Sequence, residues 1–294
     1  MTELAIGIDG GGTSCRAAVA DRMGKVIGHG KAGPANILSD LENSLVNIVE
    51  SARTALSDAG FESETVSTVS AVVGVAGANV GDYGKRIEKA LPFKNGKVVT
   101  DALISLQGAL GDADGIVGAL GTGTVYNARR NSKLHGIGGW GSIVGDQASG
   151  ARLGRDLLEK SLLAYDKVRP ASSLTDKLMA EYGNDPERVV EFAHTARPAD
   201  FARYAPMVFE GAQAGDATAI EIVKEAARAI DGSLDALTWA ECPSVCLLGG
   251  LAKAYHPWLA DRHKALLAEP KADAQQGAVD LALKLLNERQ RGAA

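Results

Sequence analysis

Cysteine is scarce in this chain: three in 294 residues, at Cys15, Cys242 and Cys246. So sparse and odd a set argues against a disulfide framework. Zinc is disfavoured too. Paired ligands usually stand about two to four residues apart, but His256 and His263, the histidines that would join Cys242 and Cys246, stand seven apart, and Cys246 lies in an apolar strand. Long apolar runs are also missing. Nothing approaches the roughly 18 residues of a membrane span, and Met1-Thr2-Glu3-Leu4 lacks the basic start and apolar stretch of a secretory signal. A cytoplasmic protein without a membrane partner is expected. Charge of one sign is not in excess, with 31 Lys and Arg against 36 Asp and Glu for a net −5, which offers no footprint for nucleic acid. Aromatic residues number only 14 (five Phe, six Tyr, three Trp), yet 46% of residues are hydrophobic, which excludes disorder.

What is abundant is glycine: 35 residues, 26 of them before residue 151. They follow no period of three, and prolines number nine, so neither collagen nor a low-complexity tract explains them. Leu4 to Ile8 is a short apolar run that stops at Asp9-Gly10-Gly11-Gly12-Thr13, and Cys15 to Ala20 resumes an extended pattern that turns at Met23-Gly24-Lys25. A three-stranded meander is predicted there. Ser39 with Glu42 reads as a capping box, apolar residues recur at helical spacing from Leu41 to Leu56, and Gly60 suits a C-terminal cap. Val66 to Val75 reads as a buried strand, Tyr83 to Leu91 as a helix, Lys97 to Thr100 as a strand and Ala102 to Leu110 as a helix. The order is βββαβαβα.

That pattern restarts after Gly115. At an offset of 111, Ile6 to Thr13 lies over Val117 to Thr124, in both cases a strand followed by a glycine turn ending in Thr. Val245 to Leu248 with Gly249-Gly250 repeats the layout of Val72 to Gly77. An α/β protein of two duplicated domains is the economical reading, with residues 1–113 in one, 114–294 in the other and a helical insertion over about 151–237.

Three glycine motifs compete for a nucleotide. No Gly-Lys pair has the earlier Gly or following hydroxyl of a P-loop, and Gly136-x-Gly138-x-x-Gly141 follows a hairpin strand rather than the first strand of a βαβ unit. What remains is the glycine turn used twice. Successive amides in such a turn, with the Thr13 and Thr122 hydroxyls, can bond phosphate oxygens, although a tight hairpin alone would also use glycine. Asp9 beside such amides adds repulsion unless a cation intervenes, and Mg²⁺ is the natural one; otherwise Asp9 caps its own turn. Asp101 ends a strand and opens a helix, where it serves as an N-cap or takes a proton from a substrate hydroxyl. Asp146 sits similarly at a helix start, and Trp140, between glycines, suits a pocket wall.

The ordered set Asp9-Gly10-Gly11-Gly12-Thr13-Ser14, Ala35-Asn36, Thr100-Asp101-Ala102, Gly121-Thr122-Gly123-Thr124, Gly139-Trp140-Gly141 to Asp146, and Gly249-Gly250-Leu251-Ala252-Lys253 resembles the BadF/BadG/BcrA/BcrD ATPase family, its amino-sugar kinases above all. The resemblance implies the actin/hexokinase/Hsp70-like fold, two RNase H-like domains with ATP and sugar in the cleft between them. It implies phosphorylation of glucosamine, or alternatively of N-acetylglucosamine, at the 6-hydroxyl, with Asp101 as the base. It places Asn36, Thr124, Gly139, Trp140, Gly141 and Asp146 around the sugar with Asp101. Gly11, Gly12, Thr13, Gly121, Thr122 and Gly123 would meet the ATP phosphates, Asp9 would hold Mg²⁺ through water, and Gly249, Gly250 and Lys253 would lie near the adenosine. Thr124 stands where related kinases often have Ser. The family also contains reductase activators carrying an iron–sulfur cluster, which needs several thiolates; the three dispersed cysteines disfavour that role. A sugar-responsive switch is disfavoured as well, because the chain starts directly with its first strand and ends soon after the Val279 to Leu286 helix. A homodimer is a family-level expectation.

Overall fold

The computed structural model describes residues 3–291. The first stretch runs β1 (Ala5–Gly10), β2 (Cys15–Ala20), β3 (Val26–Ala32), α1 (Leu41–Asp58), β4 (Ser70–Val75), α2 (Tyr83–Ala90), β5 (Asn95–Thr100) and α3 (Asp101–Leu110). Then come β6 (Gly115–Leu120), β7 (Thr124–Arg130) and β8 (Lys133–Gly138). Helices α4 (Gly150–Tyr165), α5 (Ser173–Glu181), α6 (Pro186–Thr195), α7 (Pro198–Ala202), α8 (Ala205–Gln213) and α9 (Ala217–Leu237) follow. The chain closes with β9 (Val245–Leu248), α10 (Ala252–Tyr255), α11 (Asp261–Lys264) and α12 (Ala274–Arg291).

Two compact units result, Met1–Ala113 joined by Pro270–Ala294, and Asp114–Glu269. The first holds a five-stranded sheet in the order β3-β2-β1-β4-β5. Its outer meander is antiparallel, while β1, β4 and β5 are parallel, so their carboxyl ends share one edge. One face buries Ile6, Ile8, Val73 and Val75 with Ile48, Ala52 and Leu56 of α1. On the other face Ala5 and Val72 meet Ile104 of α3 and Ala278 and Ala282 of α12.

The last helix corrects the linear division expected from sequence, because α12 belongs with residues 3–113 and not with the second half. Small residues permit its approach. A Cβ on Gly7 would come within 2.2 Å of the Val279 nitrogen, and one on Gly277 within 2.0 Å of the Ile104 carbonyl. Gly108 is equally tight against the Asp273 carbonyl. These glycines serve packing, not ligand.

The second unit repeats the strand scheme in the order β8-β7-β6-β9, again with the first strand antiparallel to the second and parallel to the later one. Its core joins Ile116, Leu120 and Tyr126 to Leu153, Leu157, Phe209, Ile222, Ile230 and Tyr255.

Local boundaries shift where short polar side chains intervene. The strand expected from Val66 begins at Ser70, because Ser67 and Thr68 donate back to the Glu64 and Thr65 carbonyls and hold Ser63–Thr68 in a 3₁₀ turn. Helix α1 is capped by Asp40, which accepts from the Asn43 amide at 3.0 Å, instead of by Ser39. The amides of Ser39 and Asp40 are both taken by the Asn36 carbonyl, which moves the cap one residue on.

Candidate active site

In the first unit the parallel strands deliver three segments to one edge. The β1–β2 turn is closed by the Gly11 amide donating to the Ser14 carbonyl at 3.0 Å, and the Gly11 carbonyl accepts from Ala35 at 2.9 Å. This bond ties the Asn36 segment to the glycine turn. Asn36 Oδ1 accepts the Leu38 amide at 3.1 Å, an Asx turn that fixes the side chain. Gly12 and Thr13 are exposed. A Cβ on Gly12 would meet nothing within 4 Å, so no protein contact demands glycine there.

Asp9 does not stand beside the turn without a counter-charge. Its carboxylate takes Arg16 Nη2 at 2.6 Å, from the residue directly opposite on β2, and Arg16 Nη1 lies 3.7 Å from Asp273. Arg16 escaped the sequence reading because a cross-strand partner depends on register, seven residues away in this hairpin. The alternation between Asp9 and Arg16 around the turn was the available signal.

Asp101 is the first residue of α3, at the carboxyl end of β5. It is not the cap. Thr100 is, accepting the Leu103 amide on its hydroxyl at 3.2 Å. Asp101 as a residue reaches solvent at the helix start, but protein crowds its carboxyl group, whose Oδ1 accepts the Ala102 amide at 2.9 Å. Desolvation by the surrounding protein raises its carboxyl above the usual range, the amide bond opposes this, and the Asp9 charge adds to the rise.

In the second unit the turn Gly121–Gly123 joins β6 to β7, and Thr122 is exposed. The carbonyls of Gly121 and Thr122 accept from the Gly150 and Ala151 amides, which fixes the turn to the start of α4. A Cβ on Gly121 or Gly250 would meet nothing within 4 Å. Gly249 is different: its φ is +94°, and a Cβ would strike the Leu120 carbonyl at 2.3 Å. That carbonyl also accepts the Leu251 amide, so both glycine turns and exposed Lys253 gather at the carboxyl ends of β6 and β9. In open α/β sheets ligands collect there.

Trp140 is 78% exposed on a loop whose Gly138, Gly139 and Gly141 all have positive φ. The Gly139 amide donates to the Thr124 carbonyl, the Gly145 amide to the Gly141 carbonyl, and Arg155 Nη1 to the Ser142 carbonyl at 2.6 Å. Behind this loop a cavity of about 650 Å³ is lined by Ser142, Ile143, Arg155, Asp156 and α6, apart from the glycine turns. Asp146 packs against Gly123, where a Cβ would come within 2.8 Å of Oδ2. Thr124, grouped with the sugar contacts by resemblance, is 4% exposed and donates its hydroxyl to the Gln147 carbonyl at 2.8 Å, so it holds the loop from within.

Cys15, Cys242 and Cys246 are buried and unbridged. Burial pushes the Cys15 thiol up to about 11, partly offset by its contact with Ser51 Oγ. Among the described residues, no helix is long and apolar enough to cross a membrane.

Two α/β units with glycine turns at the carboxyl ends of like-paired strands define an actin/hexokinase-like ATPase fold. Residues 6–279 match the BadF/BadG/BcrA/BcrD ATPase family, and the chain belongs to that family. It is 32% identical over 280 residues to glucosamine kinase GspK of Vibrio cholerae, covering 95% of each chain. A crystal structure from Chromobacterium violaceum, described as a candidate N-acetylglucosamine kinase, matches with a TM-score of 0.86 at 30% identity, over 97% of this chain and 99% of that one. A ROK family glucokinase from Streptomyces griseus, in complex with glucose and AMPPNP, shares the fold at a TM-score of 0.52 and 18% identity, over 95% and 98% of the two chains.

Proposed function

We propose that this protein is an ATP-dependent amino-sugar kinase that phosphorylates glucosamine at the 6-hydroxyl. The placement of Asp101 carries the reading: a carboxylate at the carboxyl end of β5, the outermost of three parallel strands, released from capping by the Thr100 hydroxyl. The glucosamine kinase likeness over 95% of both chains supports the substrate class. The Chromobacterium violaceum structure favours N-acetylglucosamine as the second reading.

Asp101 accepts the proton of the 6-hydroxyl as the sugar oxygen bonds to the γ-phosphorus and the bond to the bridging oxygen breaks, leaving ADP. The Gly11 and Gly121 amides close their own turns on the Ser14 and Gly123 carbonyls, each at 3.0 Å, and the turns so held offer the amides of Gly12 and Gly123 and the hydroxyls of Thr13 and Thr122 to phosphate oxygens. The open space at Gly12, Gly121 and Gly250 suits a bulky anion approaching backbone. Gly249, Gly250 and Lys253 face the adenosine. Asn36, Gly139, Trp140, Gly141 and Asp146 orient the sugar, with the Asn36 amide nitrogen as the donor, since its oxygen is engaged by Leu38.

Mg²⁺ fits the donor set as a water-bridged ion, because Asp9 supplies one carboxylate and Mg²⁺ commonly keeps several waters and phosphate oxygens. It would neutralise charge on the phosphates; Arg16 keeps Asp9 in place on the protein side. A cluster-bearing reductase activator needs accessible thiolates, which the buried, raised Cys15 opposes. A cytoplasmic homodimer completes the reading.

The deciding assay measures ATP consumption with Mg²⁺ and glucosamine, N-acetylglucosamine, glucose, N-acetylmannosamine or no sugar. Glucosamine should give the highest kcat/KM. If no sugar raises consumption above the blank, the kinase reading is wrong.

A further inference from the structure

Asp146 and Ala148 have φ of +54° and +67°, a backbone region that side chains of L-residues rarely enter. Two such residues within three positions persist only where their surroundings over-determine them. Two hydroxyls from distant elements do so here. Thr124 Oγ1, on β7, donates to the Gln147 carbonyl at 2.8 Å, and Tyr255 Oη, at the end of α10, donates to the Ala148 carbonyl at 2.8 Å.

Tyr255 is fully buried, and its ring stands edge-on to Phe209 with centroids 4.9 Å apart. A buried phenol must find an acceptor. If the Ala148 carbonyl turned away, that hydroxyl would lose its partner. Just beyond, Ser149 caps α4 by accepting the Arg152 amide at 3.1 Å, so the loop is held at its exit as well. Asp146 is thereby fixed with its carboxylate against Gly123.

We propose that Tyr255 is a positioning residue for the acceptor sugar, locking the Asp146 loop through the Ala148 carbonyl. This rests on the reading of Asp146 as a sugar-contacting group. Tyr255 closes the short helix that follows Gly249-Gly250. One side chain therefore ties the segment assigned to adenosine to the loop assigned to sugar.

Tyr255→Phe removes one hydroxyl and keeps the ring. The variant should raise the KM for glucosamine roughly tenfold, leave the KM for ATP within twofold, and speed amide hydrogen exchange across residues 143–149. Thr124→Val should act in the same direction from β7, and carries the test if Tyr255→Phe melts too low to assay. Asp146→Asn alone should raise the sugar KM, and adding Tyr255→Phe to it should change little more. A sugar KM unmoved by Asp146→Asn defeats the site reading, and this proposal with it. If Asp146→Asn raises the sugar KM but Tyr255→Phe does not, or Tyr255→Phe raises both KM values equally, or its full effect persists on the Asp146→Asn background, the positioning role is overturned while Asp146 keeps its assignment.

Discussion

At Asp101 the neighbouring hydroxyl decides what the carboxylate does. Because Thr100 takes the capping bond, the Asp101 carboxyl is left free of that role at the helix start, in surroundings that raise it above the usual range. Turnover needs the ionised form, so kcat should fall with decreasing pH along a limb above the ordinary carboxylate value of about 4. Asp101→Asn should lose at least about a hundredfold in kcat and remove that limb. The stability effect has the opposite sign. A carboxyl whose pKa is raised on folding binds its proton more tightly in the folded state, so its ionised form costs stability above that pKa. Asp101→Asn should therefore melt at the same or a higher temperature at pH 7, with the difference closing as pH falls; a scan of Tm against pH checks it. Asp9, Asp101 and the glycine turns were legible in sequence because residue type and strand end coincide. Arg16 and Tyr255 were not, since their partners lie across a hairpin and 107 positions away. Thr124 was legible as a residue of interest, but its side-chain direction depends on strand register.

Among the elements, the junction of α5 and α9 depends on one acid. Asp216 caps α9 through the Ala219 amide and also accepts the Leu174 amide and the Ser173 hydroxyl, each at 3.0 Å. Burial alone would raise its carboxyl, but these bonds hold it below the usual range. A depressed carboxyl stabilises the fold above the unfolded value of about 4 and loses that contribution as pH falls through the folded one. Asp216→Ala should cost about 2–3 kcal/mol at pH 7 by urea unfolding, and progressively less as pH falls below the unfolded value. Helical periodicity made α1 and α3 readable, whereas their first residues were not. Competing acceptors, the Asn36 main-chain carbonyl before α1 and the Thr100 hydroxyl before α3, settle the caps by geometry that a single spacing rule does not contain.

For the whole molecule, the glycine excess divides between two uses. Gly12, Gly121 and Gly250 border open space, while Gly7, Gly28, Gly30, Gly108 and Gly277 let helices press onto strands or onto each other. On β3, a Cβ at Gly30 would come within 2.0 Å of the Ser51 carbonyl of α1. Sequence could reveal the first use through motifs. The second requires knowing which helix lands on which face, above all α12. Gly7→Val should destabilise the protein by at least about 3 kcal/mol in urea unfolding, because the clash is with helix backbone that cannot rotate away. A wild-type midpoint in that variant would show that α12 does not pack there.

The return of α12 to the first sheet also sets an order in time. All of Asp114–Glu269 is translated before α12, the helix that joins α3 in covering Ala5 and Val72. Until then that face of the first sheet has only α3 to cover it, while the later unit already holds every strand and helix of its own core. The portion of the protein that is synthesised first is completed last.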